Sequence, residues 1–157
     1  MKNMIKLMRV DDRLIHGQVA ATWTNTIEAD CILIAKDNMT PLEITAAKIS
    51  VPAGIKLVVK NVEDSIKAIN SGVTDKYKLF IVVDSVTAAY QLMKGCEAVK
   101  ECNLGRTVKR EGTEPLGQHV HVTSEQRAML KELAGEGYNI YLQTIPTASA
   151  IPLTKVL

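Results

Sequence analysis

Aromatic side chains are scarce: one Trp, four Tyr and one Phe make up 4% of the 157 residues. Single-stranded nucleic acid is held on stacked aromatic rings, so that function has no platform here. Charge of one sign is also lacking. Nineteen Lys and Arg against seventeen Asp and Glu leave a net +2, too little for a nucleic-acid groove or an anionic membrane surface. No apolar run approaches the ~20 residues of a membrane-spanning helix. The N-terminal MKNMIKLMRVDDR has neither a long apolar core nor a small-residue cleavage site, so it is not read as a signal peptide. The three cysteines, Cys31, Cys96 and Cys102, are odd in number and sit in apolar surroundings. They fit reduced cytosolic thiols better than a disulfide framework. No GxGxxG and no Walker A lysine motif supports nucleotide binding.

What is present is an ordinary globular balance, 46% hydrophobic and 23% charged. The length predicts one domain over residues 1–157. Short aliphatic runs occur at Ile5–Val10, Cys31–Ala35, Ile55–Lys60, Leu79–Val83, Ala98–Leu104, His119–Val122 and Asn139–Ile145. Helical periods lie between most of them. Gly17–Ile27 puts Val19, Trp23 and Ile27 on one face, with Trp23 as a core anchor. Thr40-Pro41 opens a second helix with Leu42, Thr45 and Ile49 on one face. A third spans about Val62–Asn70 behind Asn61. A fourth follows Asp84 or Ser85 and carries Val86, Tyr90 and Met93. A fifth opens with the capping box Thr123-Ser124-Glu125-Gln126 and closes near Gly135–Gly137.

This alternation predicts an α/β fold, an open and mostly parallel sheet of about six or seven strands with helices on both faces. The stretch Gly105–Gln118 breaks the rhythm with three glycines, a proline and five charges. It reads as a hairpin or long surface loop, which makes one antiparallel strand the expectation there. Pro146 and Pro152 mark an irregular tail.

The densest chemistry lies in Arg9-Val10-Asp11-Asp12-Arg13-Leu14-Ile15-His16-Gly17-Gln18. It sits where the first strand ends and the first helix begins. Ligands of open α/β sheets bind at such carboxyl ends, and helix N-termini favour anions. Arg9 and Arg13 add guanidinium forks suited to phosphate, and Gly17 lets an anion approach the backbone. With the imidazole of His16, the set suits a phosphoryl group carried on histidine. Plainer readings stand beside this one. Asp11 or Asp12 caps the helix, pairs with Arg9 and Arg13 on the surface, holds the imidazole or orients Arg13. His16 itself has a structural reading.

Other candidates carry less. His119 and His121 alternate as two metal ligands would, but no third ligand completes a set. Asp84 and Ser85 reach the same sheet edge, and capping explains them better. Lys36, Asp37 and Asn38 line the cleft or form a turn, with the turn preferred.

Arg9-Val10-Asp11-Asp12-Arg13-Leu14-Ile15-His16-Gly17-Gln18-Val19, followed by Trp23, closely resembles the IIB components of the mannose/fructose/sorbose family of the bacterial phosphoenolpyruvate-dependent sugar phosphotransferase system. The resemblance extends along the whole chain. It includes a turn at Asn103-Leu104-Gly105 after the fifth strand, the helix Thr123–Leu133 and the Ile145-Pro146 ending. The chain departs from the family at Arg106, where a small or polar residue is usual, and at Thr107, where Met is usual. The extra guanidinium would reach the phosphate or a partner.

The resemblance implies a phosphotransferase, of the protein-Nπ-phosphohistidine–sugar type. His16 would accept phosphate, on Nδ1 in this family, from a phosphohistidine on the IIA component. It would pass it to a sugar entering through the membrane components IIC and IID. Arg9, Asp11 and Arg13 would shape the phosphate site, with Asp12, Gly17 and Gln18 in the same loop. No metal or organic cofactor is implied. Such a chain would be cytoplasmic, peripherally associated with its permease, and open to homo-oligomerisation. The rival is a non-catalytic phospho-ligand or regulatory module on the same fold.

Overall fold

The computed structural model describes residues 4–157. Residues 1–3, which begin both the stretch read as no signal peptide and the span expected for one domain, lie outside the described residues. In chain order the elements are β1 (Met4–Asp11), α1 (Gly17–Ile27), β2 (Cys31–Ala35), α2 (Pro41–Ser50), β3 (Lys56–Lys60), α3 (Val62–Ser71) and β4 (Lys78–Val83). There follow α4 (Val86–Gly95), β5 (Glu101–Arg106), β6 (Glu114–Pro115), β7 (His121–Val122), α5 (Ser124–Gly135), β8 (Asn139–Leu142) and β9 (Ile151–Pro152).

Seven strands form one sheet in the order β3-β2-β4-β1-β5-β8-β9. All its pairings are parallel except β8 with β9. Parallel strands covered on both faces must be apolar on both, and alternation then sorts their side chains. From β1, Leu7 joins Trp23, Ile32 and Phe80 under α1 and α2, whereas Met8 and Val10 join Ile81, Leu92 and Leu130 under α3, α4 and α5. The central place of β1 brings its carboxyl end, Arg9 to Asp11, between β4 and β5.

The mixed α/β architecture is as expected, with helices on both faces. Its details correct several expectations. The antiparallel strand of the main sheet is β9, in the tail read as irregular, where it pairs Leu142 with Ile151. The 105–118 stretch does carry the expected antiparallel strand, β6, but in a separate two-stranded ribbon with β7. The fifth strand begins at Glu101, not Ala98, because Val99 N–H closes a turn onto Cys96 O at 3.1 Å. Asn103-Leu104-Gly105 therefore lies inside β5 rather than in a turn. Ser85 caps α4, accepting from Ala88 N–H at 3.1 Å, so Asp84 is not the cap.

Helix α2 turns the opposite way from a core-seeking stripe. Leu42 and Ile49 are 77% and 80% exposed, and Ala47 is buried. The Thr40–Glu43 capping box and the Lys36–Glu43 ion pair hold Glu43 toward the sheet, which carries Ala47 inward one turn later. Ile49→Ser is accordingly expected to change stability by no more than ~0.5 kcal/mol, the range of free surface positions. Trp23→Ala should lose ~3–5 kcal/mol. Urea unfolding of both variants checks the orientation.

Candidate functional site

The loop from Asp11 to His16 is shaped by one carboxylate. Asp11 Oδ1 accepts from Arg13 N–H and from Arg13 Nε, both at 3.0 Å, and its Oδ2 accepts from Arg13 Nη2 at 2.9 Å. Leu14 N–H closes the turn onto Asp11 O at 2.8 Å. On the inner side Asp11 Oδ2 accepts from Arg9 Nη2 at 3.4 Å. Asp11 is 1% exposed and Arg9 3%, so a surface ion pair is not what these residues form.

Arg9 points into the fold. Its Nη1 donates to Asn103 Oδ1 at 2.5 Å and to Gln143 O at 2.9 Å, and its Nη2 to Thr144 O at 3.0 Å. The guanidinium lies 5.0 Å from the centre of the Trp23 ring, a favourable cation–π distance. The Trp23 Nε1–H donates to the same Thr144 O at 3.1 Å. Asn103, fully buried, also donates to Gln143 O at 3.1 Å. Gly105 completes the pocket, because a Cβ there would fall on the Arg9 guanidinium.

Burial alone would push the Asp11 carboxyl up. The side-chain and backbone hydrogen bonds from Arg13 and the charge of Arg9 outweigh it and hold the group below the ordinary value. Burial lowers Arg9, and Asp11 only partly offsets this. Arg13 is raised, chiefly by its bonds to Asp11. Arginine's ordinary value is so high that both remain charged at neutral pH. Arg13 has two of five N–H groups on Asp11, and three remain for an outside acceptor.

His16 precedes α1 at the N-cap position, exposed, with φ −130° and ψ 94°. It makes no side-chain cap, and its imidazole has no hydrogen-bond partner among the described residues. The other four α-helices are capped by Thr40, Asn61, Ser85 and Thr123. The first amides of α1 therefore stay open to an anion. Gly17 has φ +44°, a conformation that suits glycine. Gln18 is exposed in the first turn.

Asp12 neither caps α1 nor meets His16. Its N–H donates to Arg106 O at 3.0 Å, and its Oδ2 accepts from Val108 N–H at 2.7 Å. It fastens the segment after β5 to the loop. That segment thus packs on the loop despite Arg106 and Thr107, and the Arg106 side chain makes no ion pair among the described residues.

The family model described as PTS system sorbose subfamily IIB component matches residues 5–157. The chain belongs to this family. A probable phosphotransferase enzyme IIB component of Streptococcus pyogenes serotype M6 is 34% identical over 162 residues, covering 98% of this chain and 99% of that one. The N-acetylgalactosamine-specific IIB component 1 of Escherichia coli is 27% identical over 145 residues, covering 90% and 91%. The crystal structure of the IIB domain of the sorbose permease of Klebsiella pneumoniae shares the fold, with a TM-score of 0.91 at 22% identity over 97% of this chain and 94% of that one. Sugar phosphotransfer is the work of this family.

Within this IIB chain the structure brings Asp11, Arg13, His16, Gly17 and Gln18 to one loop and helix end, and sends Arg9 beneath them. It leaves the other candidates apart. Asp37 Oδ1 accepts from Val62 N–H at 3.0 Å and so ties the turn at Asn38 (φ 60°) to α3. His121 Nδ1 lies 3.1 Å from Thr107 O, and His119 is exposed ahead of β7. Among the described residues no three His, Cys, Asp or Glu side chains gather as metal ligands. The cysteines are buried and free. Burial pushes Cys96 up to about 11 and Cys102 up to about 12, which disfavours the thiolate form. Asn103, Gln143, Thr144 and the indole N–H of Trp23 were missed as partners of the site. An asparagine in the apolar run Cys102–Leu104 was the available signal, since a buried amide needs partners.

Asp11→Ala leaves Arg9 buried without its counter-charge, so a loss of ~3–5 kcal/mol is expected in urea unfolding at pH 7. The folded carboxyl is lowered, so its contribution is complete above the unfolded value of ~4 and is lost as pH falls through the folded one. The gap between wild type and variant should hold from pH 8 to ~5 and shrink below ~4. A gap undiminished at pH 2 would contradict this assignment.

Proposed function

We propose that this chain is the phosphocarrier of a sugar phosphotransferase system, with His16 as the phosphoacceptor. The observation that carries the reading is the exposed, unpartnered His16 imidazole at the only uncapped α-helix N-terminus among the described residues, beside an Arg13 fixed by Asp11. A phosphoryl group on that imidazole brings roughly two negative charges. The free N–H groups of Arg13 and the first amides of α1 suit its oxygens.

In this mechanism a neutral His16 nitrogen attacks phosphorus in line. The N–P bond to the donor histidine breaks as the bond to His16 forms. Positioning and charge stabilisation dominate such transfers. Asp11 holds the Arg13 fork at one edge and leaves the other for the equatorial oxygens. Arg9 acts one layer down, as a buried counter-charge that joins the Arg13 hydrogen bonds in keeping Asp11 ionised. Asp12 keeps the neighbouring segment against the loop, and Gly17 and Gln18 open the helix. Exposure of His16 suits a residue that meets two partners in turn through modest, transient interfaces.

The donor is the phosphorylated IIA component and the acceptor a hexose or N-acetylhexosamine entering through IIC and IID. The work takes place in the cytoplasm at the face of the permease. No helix among the described residues is long and apolar enough to cross a membrane. The relatives' names, sorbose-specific and N-acetylgalactosamine-specific, span both sugar classes.

Incubation with labelled phosphoenolpyruvate and the general phosphotransfer proteins plus IIA should give one acid-labile phosphoryl group by intact mass. His16→Ala should carry none. Labelling of that variant at the wild-type rate would sink the assignment, and reversible phosphate binding without covalent mass would support a non-catalytic module. Arg13→Ala should slow labelling on the order of 10²-fold, as for loss of one oxyanion donor, without unfolding the chain.

A further inference from the structure

Two residues separate Arg13 from His16. The first, Leu14, has φ 61°, a left-handed conformation that is unfavourable for a bulky L-residue. The chain elsewhere gives such positions mostly to glycine, as at Gly54, Gly72, Gly112 and Gly137. The other two non-glycine cases are Glu28, a helix C-cap, and Asn38, in a turn, both exposed. Leu14 is apolar and half-buried. A leucine held there points to a use for its side chain, since glycine would take the backbone without strain.

The side chain packs against the core under α1. With Arg9, Asp11, Ile15, Val19 and Trp23 it lines a void of about 10 Å³, at the lower limit of what one water needs. The backbone is pinned at both ends: Leu14 N–H bonds Asp11 O at 2.8 Å, and Ile15 is buried. Leu14 thus shares the lining of this void with Arg9 and Asp11, and Asp11 is only 1% exposed. Excluding water strengthens the charge-assisted bonds of Asp11 to both arginines.

We infer that Leu14 is a positioning residue: a left-handed latch whose side chain seals the Arg9–Asp11–Arg13 relay and so fixes Arg13 relative to His16 for phosphoryl transfer. This rests on the reading of His16 as phosphoacceptor. Leu14→Gly relaxes the backbone and removes the seal. Leu14→Asn tolerates the left-handed turn and also lacks the seal. Leu14→Met restores an apolar cover. The full chain is assayed by quench-flow against phosphorylated IIA, with the folded fraction set by circular dichroism.

Per folded molecule, Leu14→Gly and Leu14→Asn should lose roughly 10- to 100-fold in kcat, the scale of a misplaced catalytic group, with KM for the donor changed less than about threefold. Leu14→Met should keep at least about a third of the wild-type kcat. Wild-type kcat in Leu14→Gly or Leu14→Asn, or an equal loss in Leu14→Met, overturns the latch. A second measurement needs only wild type: the Arg13 Nε–H should exchange with solvent slowly by NMR, and exchange at the rate of a free arginine overturns the seal. A wild type that takes no phosphoryl group defeats the parent reading. A labelled wild type with an unimpaired Leu14→Gly defeats the latch alone.

Discussion

A single carboxylate, that of Asp11, joins the interior of this protein to its surface chemistry. On one side it meets Arg9, a guanidinium with almost no contact with water. On the other it holds Arg13, which is 28% exposed at its side chain. A buried arginine is tolerable only when its charge and most of its N–H groups are answered. Arg9 is answered by Asp11, by Asn103 on the neighbouring strand, and by the carbonyls of Gln143 and Thr144 after β8. Satisfying one charge therefore cross-links β1, β5 and the β8–β9 connection directly under the loop. The rigidity of Arg13 is a by-product of that solution.

The helix that follows is built differently from the rest. Capping side chains stabilise helix ends by ~1 kcal/mol each, and α2, α3, α4 and α5 all have one. α1 begins at a histidine that caps nothing, and no acidic residue stands in its first turn. A carboxylate there would occupy the amides permanently and repel an incoming phosphate. Forgoing the cap leaves a site that a transient anion can enter and leave. Exposure of His16 and dryness of Asp11, only five residues earlier, are then two demands on one short loop. Between them the turn that Leu14 N–H closes onto Asp11 O is followed by Leu14 and Ile15 packed inward and His16 facing out.

Legibility followed the range of the interactions. The strand-helix alternation, the Thr123 capping box, the Thr40 N-cap, the extent of α1 and the clustering of Asp11, Arg13 and His16 were readable, because each rests on residues close in sequence. The direction of the α2 stripe was not. Periodicity puts Leu42 and Ile49 on one face, and only the ties of Glu43 to Thr40 and Lys36 say which way that face turns. Arg9 and Arg13 looked alike on paper, yet Arg9 lies under Trp23 because residue 9 faces α1 from inside the sheet. Asn103-Leu104-Gly105 looks like a turn only through the family resemblance. It is strand, with Gly105 present for the Arg9 guanidinium rather than for a bend.

The sequence by itself determined the α/β class, the place of a charged loop between the first strand and first helix, and the family kinship carried by that loop. Hydrophobic period, capping and motif spacing are local quantities, and all three can be counted along the chain. Only the tertiary structure decided which arginine faces solvent, that Asp11 and not Asp12 organises the loop, and that His16 stands unpartnered at an open helix end. The burial of Arg9 depends on partners 94 to 135 residues away. A buried charge selects such partners by geometry, and only the folded sheet supplies that.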